Sequence, residues 1–178
     1  MERRVVITGL GAITPIGNNV KETWKSIEEK KCGIDEITLF DNTNFKTKLD
    51  AEVKNYNPLD YFEIKQAKRL DRSSQFAIIA SREAVKDSGI TKENTDFNRV
   101  GTFVSSGIAG LTTIQEQCEV NFEKGNKRVS PMFIPMSIAN MPSGNVAIEF
   151  GFKGESMGIV TACSSSTHAI GEAFKTIK

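Results

Sequence analysis

The stretch GIVTACSSSTHAIG, residues 158–171, contains a cysteine in a setting suited to covalent chemistry. Cys163 follows a short apolar run and precedes three serines and several residues small enough to begin a helix. A thiolate is the reactive form of cysteine, and the unpaired N–H groups and dipole of a helix N-terminus lower the pKa of a cysteine placed there. The pattern predicts a nucleophile elbow, a sharp turn between a strand and a helix that presents Cys163.

The same residues also fit a buried cysteine beside a serine-rich helix cap, and the local sequence does not separate the two interpretations. In the elbow, the backbone N–H of Cys163 would contribute to an oxyanion hole for a tetrahedral thioester adduct. His168 follows five residues after Cys163 on the same predicted helix. We interpret His168 as a packing or hydrogen-bonding residue and not as a catalytic one.

Composition narrows the function classes. The chain has 178 residues, a net charge of +1 and 39% hydrophobic residues, which suits one globular domain or a piece of a larger one and gives no reason to expect nucleic acid. An odd number of cysteines without paired or metal-ligand spacing argues against a disulfide framework. The first residues have neither a signal-peptide pattern nor a membrane span, so a reducing cytoplasm is the expected location.

Three apolar, β-branched runs predict buried strands that lie side by side in one sheet. They are residues 3–9, 100–105 and 156–161. The glycine-rich GLGAITPIG at 9–17 is interpreted as backbone turns, because it matches neither common phosphate-binding pattern.

Helical periodicity connects these strands. We expect a helix from Asn18 or Asn19 to Gly33, and a buried helix over 72–88 that is capped near Asp71 and stopped by Gly89. A third helix begins at Leu111, with Leu111, Ile114, Cys118 and Phe122 forming a core stripe; a fourth begins near Pro142, and residues 130–137 form a loop. The last helix follows Cys163 and should be covered on most sides. Alternating strands and helices indicate an α/β fold.

Three motifs in register resemble the β-ketoacyl-acyl-carrier-protein synthases, with the elongating type II members the most similar. They are VVITGLGAITPIG, VSSGIAGL and TACSSSTHAIG. The resemblance runs from Arg4 to Lys178 and implies the thiolase-like, layered α/β/α/β/α fold. It also implies that residues 1–178 form the N-terminal half, ending at the nucleophile helix, with the C-terminal half absent.

The resemblance further implies the reaction. An acyl chain moves from a carrier protein to Cys163 and then condenses with malonyl-carrier protein as carbon dioxide leaves. No cofactor is implied beyond the phosphopantetheine of the carrier protein, and no metal. The family's two catalytic histidines lie in the missing half, so this chain alone is expected to be inactive.

Further residues gain expected roles from the resemblance. Ile108, Ala162 and Phe133 would bind substrate, with Phe133 reaching the acyl pocket from the partner subunit of a homodimer. Taken alone, the residue types of Ile108 and Phe133 are better explained as ordinary core positions. Carrier-protein binding is implied for the basic residues Lys65, Lys68, Arg69, Lys127 and Arg128. In EIKQAKRLDR, helical spacing would place Lys65, Lys68, Arg69 and Arg72 on one face, which fits a dock for an acidic partner or simply a solvated helix.

Two other functions stay open from the sequence. One is a polyketide-type ketosynthase, and the other is a non-catalytic partner subunit on the same fold. Such partner subunits generally lack the nucleophile, so the presence of Cys163 argues against the second.

Overall fold

Helices account for most of the regular structure in the computed structural model, which describes residues 3–178. They are α1 Val20–Glu28, α2 Ile64–Ala67, α3 Arg72–Ser88, α4 Leu111–Lys124, α5 Phe133–Ser137, α6 Met141–Phe150 and α7 Ser165–Ile177. Short 3₁₀ turns at Pro58–Asp60, Phe97–Arg99, Asn126–Arg128 and Ala162–Ser164 join several of them.

The chain divides into two compact units. One contains the residues up to Ile7 together with 58–78 and 90–178, and the other contains 8–57 and 79–89. Residues 72–78 of helix α3 belong to the first unit, and residues 79–88 belong to the second. Every residue given an expected role in catalysis or binding belongs to the first unit.

Two short parallel strands form the sheet of the first unit. They are β3, Thr102–Phe103, and β4, Ser156–Met157, with Thr102 opposite Ser156. Ser143 of α6 fixes this pair, because its buried hydroxyl donates to the Thr102 carbonyl at 2.7 Å and lies 3.2 Å from the Ser156 hydroxyl. In the second unit, β1 (Asp35–Glu36) pairs antiparallel with β2 (Leu49–Asp50).

The predicted strand over 3–9 is wrong. Among the described residues no strand pairs with it, and Val6 and Ile7 expose 62% and 81% of their surface. A strand needs a neighbour to satisfy its N–H and C=O groups. Just after it, in the second unit, the Leu10 and Ala12 N–H groups donate to the carboxylates of Asp87 and Glu83, each at 2.9 Å.

The turns predicted for GLGAITPIG are present at Thr14–Gly17, where the Thr14 N–H donates to the Gly17 carbonyl at 2.8 Å, whereas helix packing explains the first two glycines. A Cβ on Gly9 would collide with the Ala84 carbonyl of α3, and a Cβ on Gly11 would collide with the Ala80 carbonyl. These two glycines therefore let the backbone approach α3 closely.

Helix bounds follow the sequence expectations in part. Asn19 caps α1, and its side chain accepts from the Glu22 N–H, but the helix ends at Glu28 and not at Gly33 because Lys30 has a left-handed φ of 56°. Helix α3 begins directly after Asp71 and ends before Gly89, as predicted, with Ile78 and Ile79 buried. Residues 130–137, predicted as a loop, contain the short helix α5.

Two expectations about burial are wrong for the described chain. The stripe on α4 is not a core stripe, because Leu111, Cys118 and Phe122 are exposed, Phe122 to 92%. Helix α7 is covered on one side only: Ser165 and Ala169 are buried, whereas the apolar side chains that would need cover on the other side are exposed, namely Ile170, Phe174 and Ile177. None of the described helices is both long and apolar enough to cross a bilayer.

Candidate active site

Cys163 lies in the middle of the 3₁₀ turn Ala162–Ser164, between β4 and α7, and its side chain is exposed. The predicted strand over 156–161 pairs only at Ser156–Met157, and the remaining residues run on without a ladder to the turn. The Ile159 N–H donates to the Ser105 hydroxyl at 3.1 Å, which ties this run to the segment after β3. The strand, turn and helix therefore present Cys163 as the elbow interpretation predicts, and its exposure among the described residues does not fit the buried-cysteine alternative.

Ala162 gives the turn its sharpness. Its φ of +51° is left-handed, a conformation that costs a residue with a Cβ about 1–2 kcal/mol. Ser165 bridges this residue, because its hydroxyl accepts from the Thr161 N–H at 2.9 Å and donates to the Ala162 carbonyl at 2.7 Å. The turn is held by hydrogen bonds on both sides of its strained residue.

The backbone N–H of Cys163 donates to none of the described residues. It lies one residue before the N-cap Ser164 of the 13-residue helix α7, where the aligned peptide dipoles favour negative charge. An unused donor beside a nucleophile can stabilise the oxyanion of a tetrahedral adduct.

Gly107 brings the segment after β3 against the elbow. A Cβ on Gly107 would lie 3.6 Å from the Ala162 carbonyl oxygen, an ordinary contact distance. The next residue, Ile108, exposes 64% of its surface. Ala109 then has a left-handed φ of 70°, and its N–H donates to the Ser106 hydroxyl at 2.8 Å. Ile108 thus belongs to a constrained turn beside the elbow.

The other two residues expected to bind substrate lie in different settings. Ala162 is exposed and forms part of the elbow itself, whereas Phe133 is half-buried at the first position of α5. The geometry of the chain brings Ala162, Cys163 and the Gly107–Ile108 turn together. The expected role of Phe133 involves a second subunit and stays a prediction.

The basic residues do not share one helix face. Helix α2 ends at Ala67, Lys68 is its C-cap and Arg72 already begins α3, so the helical register is interrupted. Lys65, Lys68 and Arg69 are exposed, whereas Arg72 is half-buried with its guanidinium 4.9 Å from the centre of the Phe76 ring. Lys127 and Arg128 are exposed on the turn Asn126–Arg128.

Two site contacts were missed from the sequence. Ser165 was read as part of a serine-rich cap, yet the N-cap is Ser164, which makes no capping bond, and Ser165 reaches back to the turn. Thr161 was not singled out, although its hydroxyl lies 2.7 Å from His168 Nδ1. This contact confirms His168 as a hydrogen-bonding residue.

Over residues 2–178 the sequence matches the family described as "Beta-ketoacyl synthase, N-terminal domain". The chain belongs to this family. It is 44% identical over 176 residues to 3-oxoacyl-[acyl-carrier-protein] synthase 2 of Staphylococcus aureus, an alignment that covers 99% of this chain and 42% of the relative. A Synechocystis protein of the same name is 40% identical over 177 residues, with the same coverage of both chains.

Solved structures show the thiolase-like fold of the ketosynthases. The ishigamide ketosynthase/chain length factor superposes with a TM-score of 0.86 at 25% identity, covering 99% of this chain and 44% of that one. A β-ketoacyl synthase from Burkholderia phymatum superposes with a TM-score of 0.83 at 23% identity, with the same coverage. The chain thus has the α/β architecture of the N-terminal half of the fold, and spans less than half the length of these relatives.

Proposed function

We propose that the full-length protein carrying this chain is an acyltransferase that elongates fatty acids by decarboxylative condensation on acyl carrier protein. One observation carries the proposal: Cys163 is exposed in a strained turn at the start of α7, in a sequence 44% identical to proteins named 3-oxoacyl-[acyl-carrier-protein] synthase 2. A thiol placed there suits a covalent acyl intermediate.

The first half-reaction uses the described residues. The Cys163 thiolate attacks the carbonyl carbon of an acyl thioester, and the Cys163 N–H supports the negative charge that develops on the oxygen. The new carbon–sulfur bond to Cys163 forms as the bond to the phosphopantetheine sulfur breaks, and that sulfur leaves as a thiolate and takes up the proton that Cys163 released on ionisation. Ile108 and Ala162 would line the start of the acyl site, and Phe133 would reach it from the partner of a homodimer.

The second half-reaction uses malonyl-acyl carrier protein. Loss of carbon dioxide leaves a carbanion that attacks the acyl carbonyl, so that a carbon–carbon bond forms and Cys163 is released as thiolate. The groups expected to promote this step are not among residues 1–178, so we expect the isolated chain not to condense. Absence of a cofactor, with phosphopantetheine supplied by the substrates, and a cytoplasmic location stay predictions.

Intact mass spectrometry of the full-length protein tests the proposal. Incubation with acyl-acyl carrier protein should add one acyl mass to the wild type and to a Cys118→Ser control, and none to Cys163→Ser. Adding malonyl-acyl carrier protein should then discharge the acyl group as β-ketoacyl product. Acylation of Cys163→Ser at the wild-type rate would refute the assignment of the nucleophile.

The exposed Cys163 thiol argues against one of the two alternative functions, the non-catalytic partner subunit, but not against the polyketide-type ketosynthase. A non-catalytic partner subunit would have no use for an exposed cysteine on a strained turn, so we set that alternative aside. A polyketide-type ketosynthase would show the same acylation of Cys163, and the length and reduction state of the released product distinguish it from the fatty acid enzyme.

A further inference from the structure

Two side chains of α7 reach back to Thr161, the residue two before the nucleophile. The Ser165 hydroxyl accepts from the Thr161 N–H and donates to the Ala162 carbonyl, at 2.9 and 2.7 Å. His168 Nδ1 lies 2.7 Å from the Thr161 hydroxyl. We call Ser165 and His168 the elbow clasp, because together they connect the first two turns of α7 to the residues before Cys163, Ser165 through the backbone of Thr161 and Ala162 and His168 through the Thr161 hydroxyl.

Ser165 does not act as a helix cap. A capping hydroxyl accepts from N–H groups inside the helix that it precedes. The Ser165 hydroxyl instead uses its donor and its acceptor on the two residues that precede Cys163, although it is only 3% exposed. The buried hydroxyl therefore acts on the turn and not on the helix.

His168 also contributes little to packing. Its side chain is exposed. The contact with Thr161 is its one polar interaction among the described residues. The contact persists whether the imidazole accepts from the Thr161 hydroxyl or donates to it. Both members of the clasp thus restrain the backbone that leads into Cys163.

The restraint by Ser165 and His168 affects Cys163 through the backbone conformation of Ala162. A residue with a left-handed φ keeps it only where its surroundings hold it there. If Ala162 relaxed to a right-handed φ, the direction of the following residue would change, and that residue is Cys163. Small displacements of a nucleophile cost rate, because the reacting atoms must meet about 3 Å apart.

We propose that Ser165 and His168 are positioning residues for the Cys163 thiol, Ser165 acting through the backbone of Thr161 and Ala162 and His168 through the Thr161 side chain. The inference rests on the proposed acyl transfer to Cys163. It predicts that loosening the clasp slows acylation without weakening the binding of the acyl donor.

Single-turnover acylation of the full-length protein tests the clasp. Ser165→Ala should lower the acylation rate constant at saturating acyl-carrier protein by roughly tenfold to a hundredfold. The donor concentration at half-saturation should stay within about twofold of the wild type, and Cys163 should still react with iodoacetamide, a small reagent that needs no fixed approach. Ser166→Ala is the matched control, since Ser166 is the next residue of α7, is exposed and makes no described side-chain bond.

His168 supplies a second test that does not disturb a buried site. His168→Leu should slow acylation in the same direction as Ser165→Ala, although less. His168→Asn should recover most of the rate, because an amide can place a polar atom near the position of Nδ1. Thermal unfolding of each variant separates positioning from folding, and the expected midpoints of both His168 variants match the wild type.

The outcomes separate the clasp from the function on which it rests. If folded Ser165→Ala and His168→Leu acylate at the rate of Ser166→Ala, the clasp is overturned while the proposed function stands. A slow His168→Leu with recovery in His168→Asn supports the clasp even if Ser165→Ala fails to fold. If the wild type takes up no acyl group, the proposed function fails and the positioning role fails with it.

Discussion

Cys163 combines exposure with a place at the start of a 13-residue helix. Exposure alone does not distinguish it, because Cys32 and Cys118 are exposed as well. The distinguishing feature is the backbone around the thiol, a strained turn followed by the N-terminus of α7. Reactivity at this residue therefore tests the local backbone more than it tests accessibility.

We expect Cys163 to react with iodoacetamide faster than Cys118 in the folded full-length protein. Cys118 lies in the interior of α4, where no free N–H groups face a thiolate. Negative charge is favoured at a helix N-terminus, which adjoins Cys163 and not Cys118. Timed alkylation with peptide mass spectrometry measures both rates in one sample. Equal rates for the two residues would contradict a role for the helix dipole.

The exposed position of Cys163 between a strand and a helix was predictable from the sequence, whereas the residues that hold its turn were not. An apolar run, a cysteine and small residues are a local signal, so position 163 could be singled out. Which of three consecutive serines turns back toward the elbow depends on the left-handed φ of Ala162. Alanine, unlike glycine, does not favour a left-handed φ, so the sequence did not indicate that Ser165 and not Ser164 contacts the turn.

Helices and strands differed in how well they could be predicted. Helices α1, α3, α4, α6 and α7 make their own backbone hydrogen bonds, so periodicity and caps located them within a few residues. Strands depend on a neighbour distant in sequence, and the run at 3–9 finds none among the described residues. The short helix α5 was missed because prolines in SPMFIPMS indicated a loop, although Pro131 precedes α5 and Pro135 lies in its first turn.

Asp71 connects α3 to α4, and removing it should destabilise the protein. Its carboxylate accepts from the Ser73 N–H and hydroxyl at 2.9 and 2.8 Å, and from the buried Thr113 hydroxyl at 2.7 Å. Asp71→Ala loses the cap of α3 and leaves a buried hydroxyl unpaired, which should cost about 2 kcal/mol of unfolding free energy. Urea denaturation measures this cost.

Asp71→Asn is the matched control for that experiment. Its amide oxygen can still accept from the Ser73 N–H, and its NH₂ group can donate to the Thr113 hydroxyl. We expect it to recover at least half of the lost stability. If Asn and Ala destabilise equally, the carboxylate acts through its charge and not through the hydrogen bonds described.

Glu52 should make the stability of the β1–β2 element depend on pH. The Thr38 hydroxyl and N–H, joined by the Leu39 N–H, donate to its carboxylate and hold the pKa of Glu52 below the ordinary value of 4.5. A lowered folded-state pKa contributes stability above the unfolded value, and this contribution is lost as the pH falls through the folded value. Glu52→Gln should therefore lower the thermal midpoint at neutral pH.

The difference between wild type and Glu52→Gln should shrink as the pH falls below 4.5. Glu36→Gln, at an exposed glutamate on β1, controls for loss of one negative charge. A gap between wild type and Glu52→Gln that is constant from pH 7 to pH 3 would show that ionisation of Glu52 contributes no stability.

The whole chain exposes more surface than its mass predicts. Its accessible area is 12480 Å², whereas a folded monomer of 19.6 kDa exposes roughly 8,600 Å². Part of the excess is apolar, including Ile170, Phe174 and Ile177 on α7. The sequence predicted cover on most sides of this helix because its apolar residues suit a core. Periodicity shows that a face is apolar but not what covers it, and the chain spans 42% of its curated relatives.

At the scale of the whole molecule, the exposed basic residues support the proposed binding of an acidic carrier protein. Lys65, Lys68 and Arg69 are exposed and form no ion pair with any residue in 3–178 that the structure describes. Exposed cations without partners attract an acidic protein over a distance and raise its association rate. The interrupted register of α2 spreads these charges beyond one helix face, which does not weaken long-range attraction.

Reversing Lys65, Lys68 and Arg69 to Glu in the full-length protein should raise the KM for acyl-acyl carrier protein. Turnover of a small acyl-pantetheine thioester, which has no acidic surface, should change little. Higher ionic strength should imitate the variant, because exposed charges are screened beyond about 10 Å at 0.1 M salt. Reversing Lys21, Lys46 and Lys92, three exposed lysines outside the expected dock, controls for net charge. Parallel loss of activity on both substrates would show that the three residues serve folding or chemistry and do not dock the carrier protein.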